Sequence, residues 1–105
     1  MKNIDEYYFY VLYSLKDNRL YKGYSSDFSN RFLRHNSGGV PSTQNRRPLI
    51  LIHLEKYSVK KQAMDRERFS KTPEGGIQLK QFLISKNILD SNGKLAIERP
   101  SIRST

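Results

Sequence analysis

The sequence predicts an α+β domain: a small three-stranded, mainly antiparallel sheet flanked by helices, in the order β-β-α-β-α-α. Three observations carry this prediction. Residues 7–14 (YYFYVLYS) and 19–25 (RLYKGYS) are aromatic and β-branched, and they bracket Asp17-Asn18, a pair that tolerates positive φ, so they read as a hairpin. Residues 49–57 (LILIHLEKY) form a third strand-like apolar run. Segments 25–36, 58–71 and 77–87 carry helical spacing instead.

Each element follows from local chemistry. With a two-residue loop at Asp17-Asn18, Ser14 pairs with Tyr21, Leu12 with Gly23 and Tyr10 with Ser25. Tyr10 and Tyr21 then leave the same face of the hairpin. Ser26 or Asp27 caps the next helix, on which Phe28, Arg31, Phe32 and His35 fall within an arc of roughly 100°. A solvated basic helix would turn its cations away from the phenylalanines; here Arg31 and His35 share or border the packed face. Residues 36–48 are loop by composition and end in Arg46-Arg47. The run 49–57 has the pattern of a central strand covered on both faces. Ser58 caps a helix over 58–71, where Glu67 continues the stripe begun by Val59 and Ala63. TPEGG, residues 72–76, breaks the chain, and Leu79, Phe82 and Leu83 mark a short packing helix. Periodicity fades from Ile88, so residues 1–87 are expected as the folded domain and 88–105 as a flexible C-terminal tail.

Composition narrows the functions. The 105 residues suit one domain, which buries only about 60–70% of its unfolded surface. Without cysteine there is no disulfide framework and no thiolate metal site, which fits a cytoplasmic protein. No apolar run is long enough to span a membrane, and Asp5 and Glu6 interrupt any signal-peptide core. Nineteen Lys and Arg against ten Asp and Glu give a formal net charge of +9, a field that attracts phosphate polymers. A nucleic acid is the expected partner, and no free amphipathic helix points to a membrane.

Arg31, His35 and Glu67 stand on faces that should be apolar, beside Tyr10 and Tyr21. An unpaired buried charge costs several kcal/mol, so these groups need partners. One reading is a buried Arg31–Glu67 ion pair with His35 as a satisfied neighbour, in a basic structural protein. The other gives each group a task. A lone carboxylate can hold Mg²⁺, and an arginine can stabilise charge on a phosphate under attack. A tyrosine can move a proton if cationic neighbours lower its pKa from about 10, and His35 can accept a proton or fix a water. These are the parts needed to hydrolyse a phosphodiester. His53, in the third strand, reads as a sheet residue.

The same residues carry a family resemblance. Tyr8-Phe9-Tyr10 and Tyr21-Lys22-Gly23, Arg31 ten residues beyond Tyr21, His35 one turn later, and Glu67 in Ala63-Met64-Asp65-Arg66-Glu67 resemble the motifs of GIY-YIG nucleases, in particular small stand-alone members. The likeness covers about residues 6–86. Tyr8 replaces the first glycine of the family, and Leu79 stands where larger members often have asparagine. The resemblance implies a metal-dependent DNA endonuclease of repair, recombination or processing, with Tyr10, Tyr21, Arg31, His35 and Glu67 as catalytic residues. It implies Mg²⁺ or Mn²⁺ held by Glu67. Tyr7, Tyr8, Tyr13 and Tyr24 are then sheet-packing or rim residues. Lys22, Arg34, Arg46, Arg47 and Lys71 are candidates for contact with the nucleic-acid backbone. No second domain for target recognition is expected, so target choice would be structure-selective, weak, or supplied by a protein partner. The alternative is a nucleic-acid-binding module of the same fold with weak or lost turnover.

Overall fold

Strand β1, Tyr7–Ser14, is the spine of the molecule, flanked by β2, Leu20–Ser25, and β3, Leu49–Tyr57. This is a computed structural model, in which residues 6–96 are described. The sheet order is β2-β1-β3 and both pairings are antiparallel. Helices α1, Phe28–Ser37, α2, Lys60–Ser70, and α3, Pro73–Ser85, complete the expected α+β order, with a short 3₁₀ turn at Gln44–Arg46. Among the described residues, no helix is long and apolar enough to cross a membrane.

Alternation along β1 builds two cores. Phe9, Val11 and Tyr13 pack with Ile52, Leu79, Leu83 and Leu89 on the α3 side. Tyr10 and Leu12 pack with Leu49, Phe28, Phe32 and Tyr21 on the α1 side. Each fully buried side chain of this size contributes about 1.5–3 kcal/mol, so a strand apolar on both faces belongs in the middle. The run 49–57 is therefore not the central strand that its composition predicts. Leu51 and Leu54 remain part-exposed on it. The hairpin places β2 on one edge of β1, and β3 takes the other. Between Val11 and Leu12 the β1–β3 register shifts, so that Ile52 and His53 are both accommodated opposite Val11.

The hairpin loop is longer than expected. Tyr10 pairs with Gly23 and Leu12 with Tyr21, which leaves residues 15–18 as the loop. Ser14 organises it: its hydroxyl accepts from the Lys16 and Asp17 amides, each at 3.1 Å, while Asn18 takes a φ of 60°. The register moves by two residues, and because side chains alternate with period two, Tyr10 and Tyr21 keep their common face.

Asp27 caps α1 by accepting from the Asn30 amide. Ser58 does not cap α2, which begins one residue later behind Val59 without a side-chain cap. TPEGG breaks the chain only at its first residue: α2 ends before it, Thr72 caps α3, accepting from Gly75, and Pro73 sits in the first turn, where a missing N–H is harmless. A Cβ on Gly75 would overlap the Phe69 carbonyl, so glycine sets the close approach of α2 and α3. Residues 88–96 are docked rather than loose. Leu89 is buried, Leu89 bridges to Leu95, and the Leu95 amide donates to the Tyr13 hydroxyl at 3.2 Å. The Asp90 carboxylate and Gly93, at φ 81°, turn the segment back on itself. Residues 97–105 of the expected tail lie outside the described residues.

Candidate active site on the α1 face of the sheet

Tyr10 leaves the middle of β1 and lies across Gly23 of β2. A Cβ at Gly23 would stand 2.5 Å from the Tyr10 hydroxyl oxygen, so only glycine leaves the ring its place. Helix α1 closes over it. The Tyr10 ring centroid is 5.3 Å from Phe28, 5.7 Å from His35 and 6.4 Å from Tyr21. Tyr21 is closer still to His35, at 5.0 Å. The Asn36 side chain fixes the far end of the helix to the start of β3, donating to the Leu49 carbonyl at 2.9 Å and accepting from its amide at 2.8 Å.

His35 is fully buried and bonded at both ring nitrogens: Nε2 to the Tyr10 hydroxyl at 2.9 Å, Nδ1 to Thr43 Oγ1 at 2.8 Å. Thr43, also fully buried, has its hydroxyl 3.4 Å from the Val40 carbonyl. The loop after α1 thus returns to support the histidine. Thr43 escapes a reading of the sequence, because a small hydroxyl in a polar loop has no periodic signature. Asn36 escapes it for the same reason.

The electrostatics differ from the expectation of a lowered phenol pKa. Burial pushes Tyr10 up to about 12; the charges of Tyr21 and Glu67 add to that rise, and Arg31 opposes it. Burial likewise holds His35 down at about 4, reinforced by the cations Arg31 and Arg34. The resting pair is therefore a protonated phenol and a neutral imidazole. The Arg31 guanidinium stands against both phenols: Tyr10, then Tyr21, stabilise its charge and raise its pKa.

Glu67 lies on α2, and its charge acts on Tyr10. No Arg31–Glu67 ion pair forms among the described residues. Glu67 instead accepts from Lys71 at 2.7 Å, and four-fifths of its side chain is covered. The described residues contain no group of three or more His, Cys, Asp or Glu suited to a metal. A single hard carboxylate fits Mg²⁺ nonetheless, since that ion keeps several waters and is commonly held by one or two carboxylates with substrate phosphates.

The cations expected to meet a nucleic acid separate into two groups. Lys22 donates to the Ser70 carbonyl at 3.1 Å beside Lys71, and burial together with the Lys80 and Lys71 charges lowers its pKa. Arg34 donates to the Gly39 carbonyl and Arg47 to the Gln44 carbonyl. Arg46 locks the hairpin loop, pairing with Asp17 at 2.8 Å and donating to the Leu20 carbonyl. On the opposite face, His53 belongs to a separate cluster in which the Glu55 carboxylate meets His53 at 2.6 Å, Tyr57 at 2.5 Å and Arg66 at 2.9 Å.

The chain is similar to several known proteins. A family model described as the GIY-YIG catalytic domain matches residues 6–76. The UPF0213 protein SSP2268 of Staphylococcus saprophyticus is 39% identical over 70 residues, 66% of this chain and 84% of that one. UPF0213 protein YazA of Bacillus subtilis is 41% identical over 68 residues, 64% of this chain and 68% of its own. Among solved structures, the solution structure of UPF0213 protein BH0048 from Bacillus halodurans matches with a TM-score of 0.47 at 31% identity, covering 73% of this chain and 84% of that one.

Proposed function

Since the chain belongs to the GIY-YIG catalytic-domain family, we propose that it is an endonuclease that hydrolyses DNA phosphodiester bonds, with Tyr10, Tyr21, Arg31, His35 and Glu67 as its catalytic set. The observation that carries the reading is the chain Tyr10–His35–Thr43 with Arg31 set against both phenols.

A phenol held near 12 is a poor base by itself. The hydrogen bond to His35 changes what it can do. In the tautomer with Nδ1–H donating to Thr43, whose own proton goes to the Val40 carbonyl, Nε2 accepts from Tyr10. The Tyr10 oxygen then takes a proton from the attacking water while its own proton passes to His35, and no free phenolate forms. Phosphate charge in the pocket favours the resulting imidazolium, opposing the depression caused by Arg31 and Arg34. Arg31 offsets the negative charge that builds as the water oxygen bonds to phosphorus and the bond to the 3′ oxygen breaks. Tyr21 flanks this path and fixes Arg31. Glu67 would hold Mg²⁺ or Mn²⁺, which when bound supplies Lewis acidity and a counter-charge to the phosphate. Lys22 and Lys71 beside it give backbone affinity without reading sequence.

The test is a cleavage panel of single-stranded, duplex, flap and four-way DNA with Mg²⁺ and Mn²⁺. Metal-dependent cutting lost in Glu67→Gln, with the melting temperature kept, supports the proposal; every substrate left intact overturns it. The Lys71 ammonium on Glu67 favours a second reading, a binding module without turnover, which predicts salt-sensitive DNA retention indifferent to Glu67→Gln.

A further inference from the structure

The chain has seven tyrosines, and five have structural partners. Tyr8 donates to Glu6, Tyr10 meets His35, Tyr13 donates to Asn18, Tyr57 donates to Glu55, and Tyr21 packs on His35. Tyr7 and Tyr24 differ. Among the described residues, neither makes a side-chain hydrogen bond or a ring contact. Tyr24 pairs with Phe9 across the β1–β2 ladder, so Tyr7, two residues before Phe9 on β1, is its diagonal neighbour on one face. Both residues line a cavity of about 560 Å³, together with Ser25, Ser26, Arg31 and Lys60. Arg31 is shared: it borders this cavity and also the two phenols of the active site.

Two unpartnered rings, a lysine and a shared arginine make the chemistry of a nucleotide subsite. Aromatic faces take an unstacked base, and the cations take its flanking phosphates. A cavity of this size falls in the range of small-ligand pockets, and a base still stacked in a duplex could not enter it. We propose that Tyr7 and Tyr24 stack an unpaired base of the DNA strand next to the phosphate held at Arg31, with Lys60 on the neighbouring phosphate. This rests on the endonuclease reading for the role of Arg31, and it names the form of substrate that the site accepts.

Binding of fluorescent oligo(dT) and of a blunt hairpin duplex, measured by anisotropy in EDTA, tests it without cleavage. The double variant Tyr7→Ala/Tyr24→Ala should bind oligo(dT) about 10–100-fold more weakly and leave duplex affinity within twofold. Tyr7→Phe/Tyr24→Phe keeps the rings and should bind within twofold of the parent, which separates stacking from the hydroxyls and from damage to the sheet. Lys60→Ala should reduce the salt slope by about one. Unchanged oligo(dT) binding in the alanine variant, equal losses on both DNAs, or phenylalanine losses as large as alanine losses would each overturn the subsite. A chain that never cuts yet shows this pattern keeps the subsite and loses the endonuclease reading; a chain that cuts without the pattern does the reverse.

Discussion

Two clusters of the same residue types sit on opposite faces of one sheet. On the α3 side, His53, Tyr57 and Arg66 surround Glu55, and Arg66 lies 4.7 Å over the Phe9 ring. On the α1 side, His35, Tyr10, Tyr21 and Arg31 gather with Thr43 on the histidine, and the carboxylate whose charge acts on Tyr10, Glu67, is bonded to Lys71 rather than to any of them. The carboxylate decides the difference. Glu55 is held down at about 2: burial opposes ionisation, but the hydrogen bonds from His53, Arg66 and Tyr57 outweigh it. Every charge there is answered, so the cluster is closed. The α1 cluster has a phenol pushed up, an imidazole pushed down and a guanidinium with only phenols against it. Its carboxylate, Glu67, is answered by Lys71, and a phosphate would supply the negative charge that Arg31 lacks.

The largest expected effect breaks this symmetry at the arginines. Arg31→Ala should lower the cleavage rate about 10²–10³-fold, the usual cost of removing one group that stabilises transition-state charge, while the melting temperature stays within a few degrees. Arg66→Ala should do the opposite: cleavage per folded molecule persists and the melting temperature falls. Rate loss from Arg66→Ala equal to that from Arg31→Ala would erase the distinction between the two faces.

The next effect is on stability alone. Glu55→Ala leaves Arg66 without its partner, and should cost about 2–3 kcal/mol, or about 10–15 °C in a thermal melt. The discount from a fully buried pair reflects the quarter of each side chain that solvent reaches. A melt unchanged by Glu55→Ala would show that solvent already answers these charges.

How much of this was legible in the sequence follows the same division. Tyr10, Tyr21 and Arg31 were findable because strand alternation and helical spacing are periodic, and an even register error leaves faces unchanged. The α1-side cluster was found through a polar residue on an apolar helix stripe. The Glu55 cluster was not, since His53, Glu55 and Tyr57 alternate on an edge strand whose rank in the sheet is a tertiary fact. The run 49–57 read as central because its composition is apolar, while the choice of middle strand depends on which strand has two partners. The docking of residues 88–96 depends on three apolar side chains at irregular spacing, Ile88, Leu89 and Leu95, for which no periodic template exists. Thr43 and Asn36 act by position alone.

Thr43 gives a smaller and sharper test. It touches no substrate; it orients His35. Thr43→Val keeps the shape and removes the hydroxyl, so the imidazole is no longer held in one tautomer. The expected loss is about tenfold in kcat with KM unchanged and a displaced pH–rate profile, and Thr43→Ser should restore both. A purely structural role would lower the melting temperature and leave the profile of the surviving enzyme in place.

The two faces should also separate on acidification. His35 has a folded pKa of about 4 against an ordinary 6.5, so below pH 6.5 the unfolded chain binds a proton that the folded chain refuses. Stability from this group is complete above pH 6.5 and lost as pH falls toward 4, on the order of 1 kcal/mol by pH 5.5. Glu55, at about 2 against an ordinary 4.5, contributes stability that is complete above pH 4.5 and lost as pH falls toward 2. Thermal melts across this range should therefore show an upper window from His35 on the α1 face and a lower one that Glu55 on the α3 face shares with Asp17 and Asp65, whose carboxyls Arg46 and Lys61 hold below the usual range. His35→Asn should flatten only the upper window, and Glu55→Gln should shrink only the lower. Either variant flattening both would mean that the two clusters titrate as one, and that the sheet between them does not insulate the site.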